Sequence, residues 1–450
     1  MNVSPALDVD PLLDDPTTRI IVCCGSGGVG KTTTAAALGV RAAERGRRAV
    51  VLTIDPARRL AQSMGIDSLD NVPRRVKGID DAAGGELHAM MLDMKRTFDE
   101  IVEAHADGDR ARAILENPFY QSLSAGFAGT QEYMAMEKLG QLRAGDQWDL
   151  IIVDTPPSRS ALDFLDAPKR LGSFLDGKFI RVLMAPAKVG GRAGMKFLNV
   201  GMSMMTGTLS KLMGGQLLRD VQTFVAAMDT MFGGFRTRAD ATYRLLQAPG
   251  TSFLVVAAPE RDALREAAYF VERLAAEEMP LAGLVLNRVH GSGAPQLSAQ
   301  RALTAAENLE ETGIVDQPDG NAGPRGSTAT PPEHSAVSPA GTTPTVAHGT
   351  IDPADGAEEA DIKDAEEAEN TADGSTEDEV AQLTAGLLRL HAERMQVLAR
   401  EQRTRDRFTA LHPEVAVTEV AALPGDVHDL VGLRAIGERL ATGQASPPAP

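Results

Sequence analysis

The run Gly25-Ser26-Gly27-Gly28-Val29-Gly30-Lys31-Thr32-Thr33 concentrates residues able to hold a phosphate chain. Glycines without a Cβ let backbone N–H groups approach phosphate oxygens closely, and a helix starting at the lysine would add the favourable end of its dipole. At this spacing Lys31 would reach the β- and γ-phosphates and the Thr32 hydroxyl would ligate Mg²⁺. The chemistry implied is that of a nucleoside-triphosphate site. Two acids end apolar runs elsewhere: Asp55 after Ala49-Val50-Val51-Leu52-Thr53-Ile54, and Asp154 after Trp148-Asp149-Leu150-Ile151-Ile152-Val153. An aspartate at the end of a buried strand suits contact with a phosphate-bound Mg²⁺.

These residues need a scaffold, and the sequence supplies one. Ile20-Ile21-Val22-Cys23-Cys24 reads as a buried strand before the glycine run, and Thr34 to Arg45 as an Ala/Leu-rich helix closed by Gly46. With the strand that leads to Asp55 this makes a right-handed βαβ unit, hence a parallel sheet. Weaker or later strands are expected at Leu87–Leu92, Ser252–Ala258, Leu281–Leu286 ending at Asn287, and Val415–Val420. A helix from Pro259-Glu260 to Met279 separates two of them, and Leu430–Leu440 closes the fold. The expected class is α/β: a P-loop NTPase with a mostly parallel, doubly wound sheet and an inserted helical subdomain, over about 95–145 and 165–248.

Composition narrows the function further. The 450 residues are 43% apolar, enough for a real core, and carry a net charge of −17, which disfavours a non-specific nucleic-acid binder. Cys23 and Cys24 are the only cysteines; neighbours on one strand face opposite ways, so neither a disulfide nor a thiolate zinc site is expected. The start of the chain has neither the basic nor the apolar region of a signal peptide, and no stretch has the length and apolarity of a membrane span. The chain reads as cytoplasmic.

The chain then divides as follows. Residues 1–18 are rich in Pro and Asp and are expected to be a disordered tail, and 443–450 form a Pro-rich tail. The ATPase-type core is expected over 19–311 and is completed by 377–442. Between them, 312–376 is low in large apolar residues and turns strongly acidic, the composition of a disordered spacer. Thr376-x-x-Glu379 resembles a capping box for a long charged helix reaching about Phe408. Within 165–248, Gln216–Phe235 carries one apolar helical face, and Met195, Leu198, Met202, Met205, Leu209 and Leu212 form a second stripe interrupted by glycines. Either the two stripes bury each other or they form an adaptable, thioether-rich surface for an apolar partner.

Taken together, the glycine loop, Asp55-Pro56-Ala57, Asp154-Thr155-Pro156-Pro157, Pro259-Glu260 and Asn287-Arg288 resemble, in order and spacing, the ArsA-type ATPases of the deviant Walker A group. That family includes arsenite-pump ATPases and the targeting factor for tail-anchored membrane proteins. The likeness covers about 19–290 and 377–440. It implies an ATP hydrolase that uses ATP and Mg²⁺. Gly27, Gly28, Val29, Gly30, Lys31, Thr32 and Thr33 would hold the phosphates, Thr32 and Asp154 the metal, and Asp55 the attacking water, with Asp55 and Lys31 as the catalytic pair. Asn287 would bind adenine, with Pro424 lining its other side. Spacing alone leaves ATP and GTP open.

The resemblance also implies a dimer that opens and closes with nucleotide state and binds a hydrophobic helix or membrane-protein client. Three departures bear on this. Ser26 stands where the family usually has a lysine that reaches the partner's nucleotide. Either Arg58, Arg59 or Arg159 substitutes in a homodimer, or the chain pairs with a related ATPase that carries the lysine. The family's metal-binding thiols are missing, which removes arsenite transport and the zinc clasp. Pro157-Ser158-Arg159-Ser160 replaces the usual Thr-Gly-His. A nucleotide-sensing regulatory subunit with little hydrolysis of its own is the alternative reading.

Overall fold

The computed structural model describes residues 5–55, 59–118, 120–121, 130–156, 237–312 and 364–443. The methionine-rich stripes, Pro157-Ser158-Arg159-Ser160, Arg58 and the Arg59 side chain lie outside the described residues. Strand β1 (Ile20–Cys24) is buried at every position, as the unbroken apolar run requires of a strand covered on both faces. Around it lie β2 (Arg48–Thr53), β3 (Arg74–Arg75), β4 (Glu86–Met91), β5 (Leu150–Asp154), β6 (Thr251–Ala257), β7 (Leu281–Val289) and β8 (Val417–Ala421). The sheet order is β3-β4-β2-β5-β1-β6-β7-β8, parallel except for the short edge strand β3. This is the expected doubly wound α/β sheet.

Helix α1 is Val9–Asp14, α2 Lys31–Glu44, α3 Arg59–Ser63, α4 Met94–His105, α5 Gly108–Leu115 and α6 Thr130–Ala144. After a helical stretch over 237–247 come α7 (Arg261–Ala276), α8 (Ala299–Thr312), α9 (Asp364–Leu411) and α10 (Leu430–Thr442). Alternation along β1 divides the core between the two sheet faces. Ile20, Val22 and Cys24 join α4, α6 and α7 on one side, while Ile21 and Cys23 join α2 and α10 on the other. The two thiols do face opposite ways and both are free. Helix α2 lies so close to the sheet that a Cβ on Gly39 would stand 2.6 Å from Val51 Cγ2.

Two compact units result, one of 1–293 with 397–450 and one of 294–396. The first holds the sheet and every candidate site residue. The second contains α8 and most of α9, over 294–311 and 377–396 of what the sequence assigns to the ATPase domain.

Two expectations need correction. The segment before β1 is not a disordered tail from residue 5 onward. Leu7, Val9 and Leu13 are buried, and Ala6 bridges to Val417. The aspartates that suggested disorder are countercharged, Asp10 by Arg41 (Nη2 to Oδ2 2.7 Å) and Asp14 by Arg45. The spacer is likewise shorter than 312–376, because α9 already begins at Asp364. Acidic residues in a first turn favour a helix through its dipole, and the alanines there are strong helix formers.

Arg47 locks the amino-terminal segment to the sheet. It is only 9% exposed and donates to the carbonyls of Leu13 (2.7 Å), Asp15 (2.9 Å), Thr18 (2.6 Å) and Asp149 (2.7 Å). Arg47→Met leaves four carbonyls without their donor, those of Leu13 and Thr18 in buried bonds, so we expect a loss of about 2–4 kcal/mol in urea unfolding with nucleotide binding retained.

Candidate active site

The glycine loop follows β1 at the centre of the sheet, where strands β5 and β6 flank it. Its backbone explains its composition. Gly25, Gly28 and Gly30 all have positive φ (146°, 77° and 96°). A Cβ on Gly25 would stand 2.1 Å from the Val256 carbonyl oxygen, and one on Gly30 2.2 Å from Asn287 Nδ2, whereas Gly28 faces open space. Helix α2 starts at Lys31 with Gly30 as a cap that makes no side-chain hydrogen bond. Its first N–H groups are therefore left for an anion.

Lys31 is 5% exposed, and its Nζ donates to the Ser26 carbonyl at 2.8 Å. Burial pulls its pKa down, while the charges of Asp154 and Asp55 push it back up. The strand register, which pairs Asp154 with Cys23 and with Thr53, puts both acids at the sheet end from which the glycine loop leaves. Asp154 closes β5, opposite Thr53 of β2 and Cys23 of β1. It is 0% exposed, and burial raises its carboxyl to about 6 despite hydrogen bonds that act the other way. Thr32 and Thr53 hydroxyls both donate to Oδ2, at 2.8 and 2.9 Å, and Oδ1 has no hydrogen-bond partner among the described residues. A buried carboxylate oxygen without a donor, next to a threonine hydroxyl at a helix start, suits a hard divalent cation brought with phosphate.

Asn287 ends the buried part of β7. Its Nδ2 donates to the Val29 carbonyl at 2.8 Å, so the residue braces the glycine loop from beside it. The next residue, Arg288, has φ 61°, and the β7–β8 register slips between Asn287 and Val289. A left-handed arginine costs energy and sits where the strand must release the chain next to a candidate site. Pro424 is exposed on the loop after β8, the strand paired with β7.

The profile of one family, described as anion-transporting ATPase, matches residues 18–307. The chain belongs to the anion-transporting ATPase family. This ATPase is 25% identical over 301 residues to the ATPase GET3 of Podospora anserina, covering 65% of this chain and 80% of that one. It is 25% identical over 285 residues to the ATPase ASNA1 homolog 2 of Paramecium tetraurelia (62% and 78%). The ATPase GET3 of Malassezia globosa is 29% identical over 160 residues, a match spanning 36% of this chain and 45% of that relative. The enzyme class is ATP hydrolase, and ATP binding follows from the family.

Thr53 and Gln131 also contact the candidate site, and no motif in the sequence points to either. Thr53 fixes the Asp154 carboxylate; the only signal was a hydroxyl inside an otherwise apolar strand. Gln131, on α6, donates to the Ile54 carbonyl at 2.9 Å, one residue before Asp55. No sequence pattern marks it. It ties the helices that follow β4 to the strand end that carries a candidate catalytic acid.

Proposed function

We propose that this ATPase couples ATP binding and hydrolysis to the opening and closing of a dimer, and through it to binding of an apolar or membrane-protein partner in the cytoplasm. The observation that carries this reading is Asp154: buried, held by Thr32 and Thr53 through one oxygen, and with no donor among the described residues at the other. Gly27 to Thr33 would cradle the phosphates, and Thr32 with Asp154 would hold Mg²⁺. The cation would supply charge neutralisation on the β- and γ-phosphates. Lys31 would leave the Ser26 carbonyl for phosphate oxygen. Asp55 would orient the attacking water; an ordinary aspartate is too weak a base to do more at neutral pH. Asn287, with one N–H spent on Val29, keeps its second N–H and its carbonyl for adenine beside Pro424.

Gln131 supports the coupling. A shift of Asp55 on loss of the terminal phosphate would pull on α6 through the Ile54 carbonyl. Ser26 supports pairing with a related chain, since its hydroxyl cannot replace a cation across an interface.

Turnover of the wild-type chain and of Asp55→Asn decides between the readings. The expected result is a fall in kcat of roughly 10²-fold or more with nucleotide affinity nearly unchanged, as for loss of a group that acts only in the transition state. Equal turnover would remove Asp55 from the mechanism. A wild-type chain that is silent alone but active with a co-purifying ATPase would establish the regulatory-subunit alternative in its hetero-pair form.

A further inference from the structure

A furrow of about 650 Å³ lies between α7 and residues 400–411 of α9, all within the unit that holds the sheet. Arg261 and Arg265 line it from α7, and Arg400, Arg403 and Arg407 line it from α9. Spacings of three and four residues put each set on one face of its helix. Beneath them Leu264 and Phe408, 3 and 4% exposed, belong to the core, and Leu411, 68% exposed, continues the apolar floor into solvent. No acid is among the described lining residues. Arg261, Arg400 and Arg407 form no ion pair among the described residues, and Arg403 gives its Nε to the Ala399 carbonyl at 3.0 Å. Arg265 lies 3.2 Å from Asp262, in a pair exposed on both sides that is worth little in water. Five guanidiniums thus share one furrow in a chain whose net charge is −17.

We propose that this furrow receives an acidic amphipathic helix of a partner protein. A single carboxylate or phosphate is satisfied by one or two guanidiniums. Five of them, on two helices and with about 10 Å of rise between Arg400 and Arg407, call for an anion that repeats. A helix with acids on both flanks of a leucine edge supplies one. Its edge fills the floor that Leu411 and the arginine stems form over Leu264 and Phe408. Nucleic acid also repeats its charge, but its bases stack on exposed rings, and Phe408 is buried. A membrane surface is flat and leaves a concave floor unfilled. The chain's own acidic stretch over 352–361 brings five carboxylates but no large apolar side chain. The association rests on charge and shape at this furrow and does not depend on the nucleotide reading above.

Fluorescence anisotropy with the full chain in nucleotide-free buffer tests it, so that failure of the nucleotide reading leaves the result intact. The probe is a labelled synthetic helix of about four turns, with leucines at alternating three- and four-residue steps and glutamates beside them. The parent should bind it, more weakly as salt rises. It should bind about 10-fold more weakly a peptide of the same composition whose leucines are scattered around the helix. Arg400→Glu/Arg403→Glu/Arg407→Glu should lose about 10-fold or more for the glutamate peptide, and should bind a lysine version that the parent rejects. Circular dichroism should be unchanged, since all three side chains are exposed. Arg400→Gln/Arg403→Gln/Arg407→Gln should repeat the loss without adding charge. A parent that does not bind the probe would overturn the proposal, as would equal affinity for the scattered peptide. So would undiminished affinity in the arginine variants. Tighter binding of phosphatidylserine vesicles or of a single-stranded oligonucleotide, lost in the same variants, would assign the furrow to a membrane or a nucleic acid instead.

Discussion

Replacing Lys31 by methionine is expected to weaken ATP binding by roughly 10²-fold or more while leaving the nucleotide-free fold as stable as the parent, or slightly more so. The ammonium is buried, and its pKa is held down by desolvation. Among the described residues its hydrogen bond is to the carbonyl of Ser26, inside the same loop. That contact keeps the side chain folded over the cradle, yet does little for global stability. Methionine fills nearly the same volume and removes a buried charge. What it takes away is a cation within electrostatic reach of Asp154 and Asp55. A triphosphate would then meet Asp154 and Asp55 without the ammonium that lies near both. Titration calorimetry with ATP and Mg²⁺ measures the loss, and urea unfolding without nucleotide checks the fold. Binding as tight as the parent's would mean that the phosphates do not dock at the start of α2, and the site assignment would fail.

The glycine loop was legible in the sequence because its chemistry is local. Backbone N–H groups can point at one anion only if glycines occupy the positive-φ positions, and Gly25, Gly28 and Gly30 do. Asp154 and Asn287 were legible for a related reason: each ends an apolar run, and strand ends on one edge of a parallel sheet converge. Thr53, Gln131 and Arg47 were not, since each acts on a residue far away in sequence or across a layer. Nothing local distinguishes Arg47 from Arg48, yet the first is buried under four carbonyls and the second is exposed. The amino-terminal segment misled for the opposite reason. Its prolines and aspartates outweighed Leu7, Val9 and Leu13 in composition, but those three side chains and the arginines of α2 are what order it. The early start of α9 follows the same logic, with acids that look like solvated spacer lying in the first turns of a helix.

Asp154→Asn should separate stability from function. The carboxyl is fully buried, and its folded-state pKa is raised from 3.8 to about 6 by desolvation. A group whose folded pKa lies above its unfolded value favours folding in the protonated form. That contribution is complete below about pH 4 and is lost as pH rises through about 6. At neutral pH the ionised carboxylate therefore costs on the order of 3 kcal/mol. Asparagine carries no charge at any pH, and its carbonyl can still accept from Thr32 and Thr53. The nucleotide-free variant is thus expected to match the parent near pH 4 and to exceed it by a few kcal/mol at pH 7, the gap opening between those values in urea unfolding. The same change removes the anionic oxygen left without a donor in the parent. Turnover should fall by roughly 10²–10³-fold, and the stabilisation by ATP with Mg²⁺ should shrink to what nucleotide alone provides. A variant no more stable than the parent at pH 7 would show that water or a neighbouring group already solvates the buried carboxylate. A variant that keeps full turnover would remove Asp154 from the metal site, and with it the observation on which the proposed function stands.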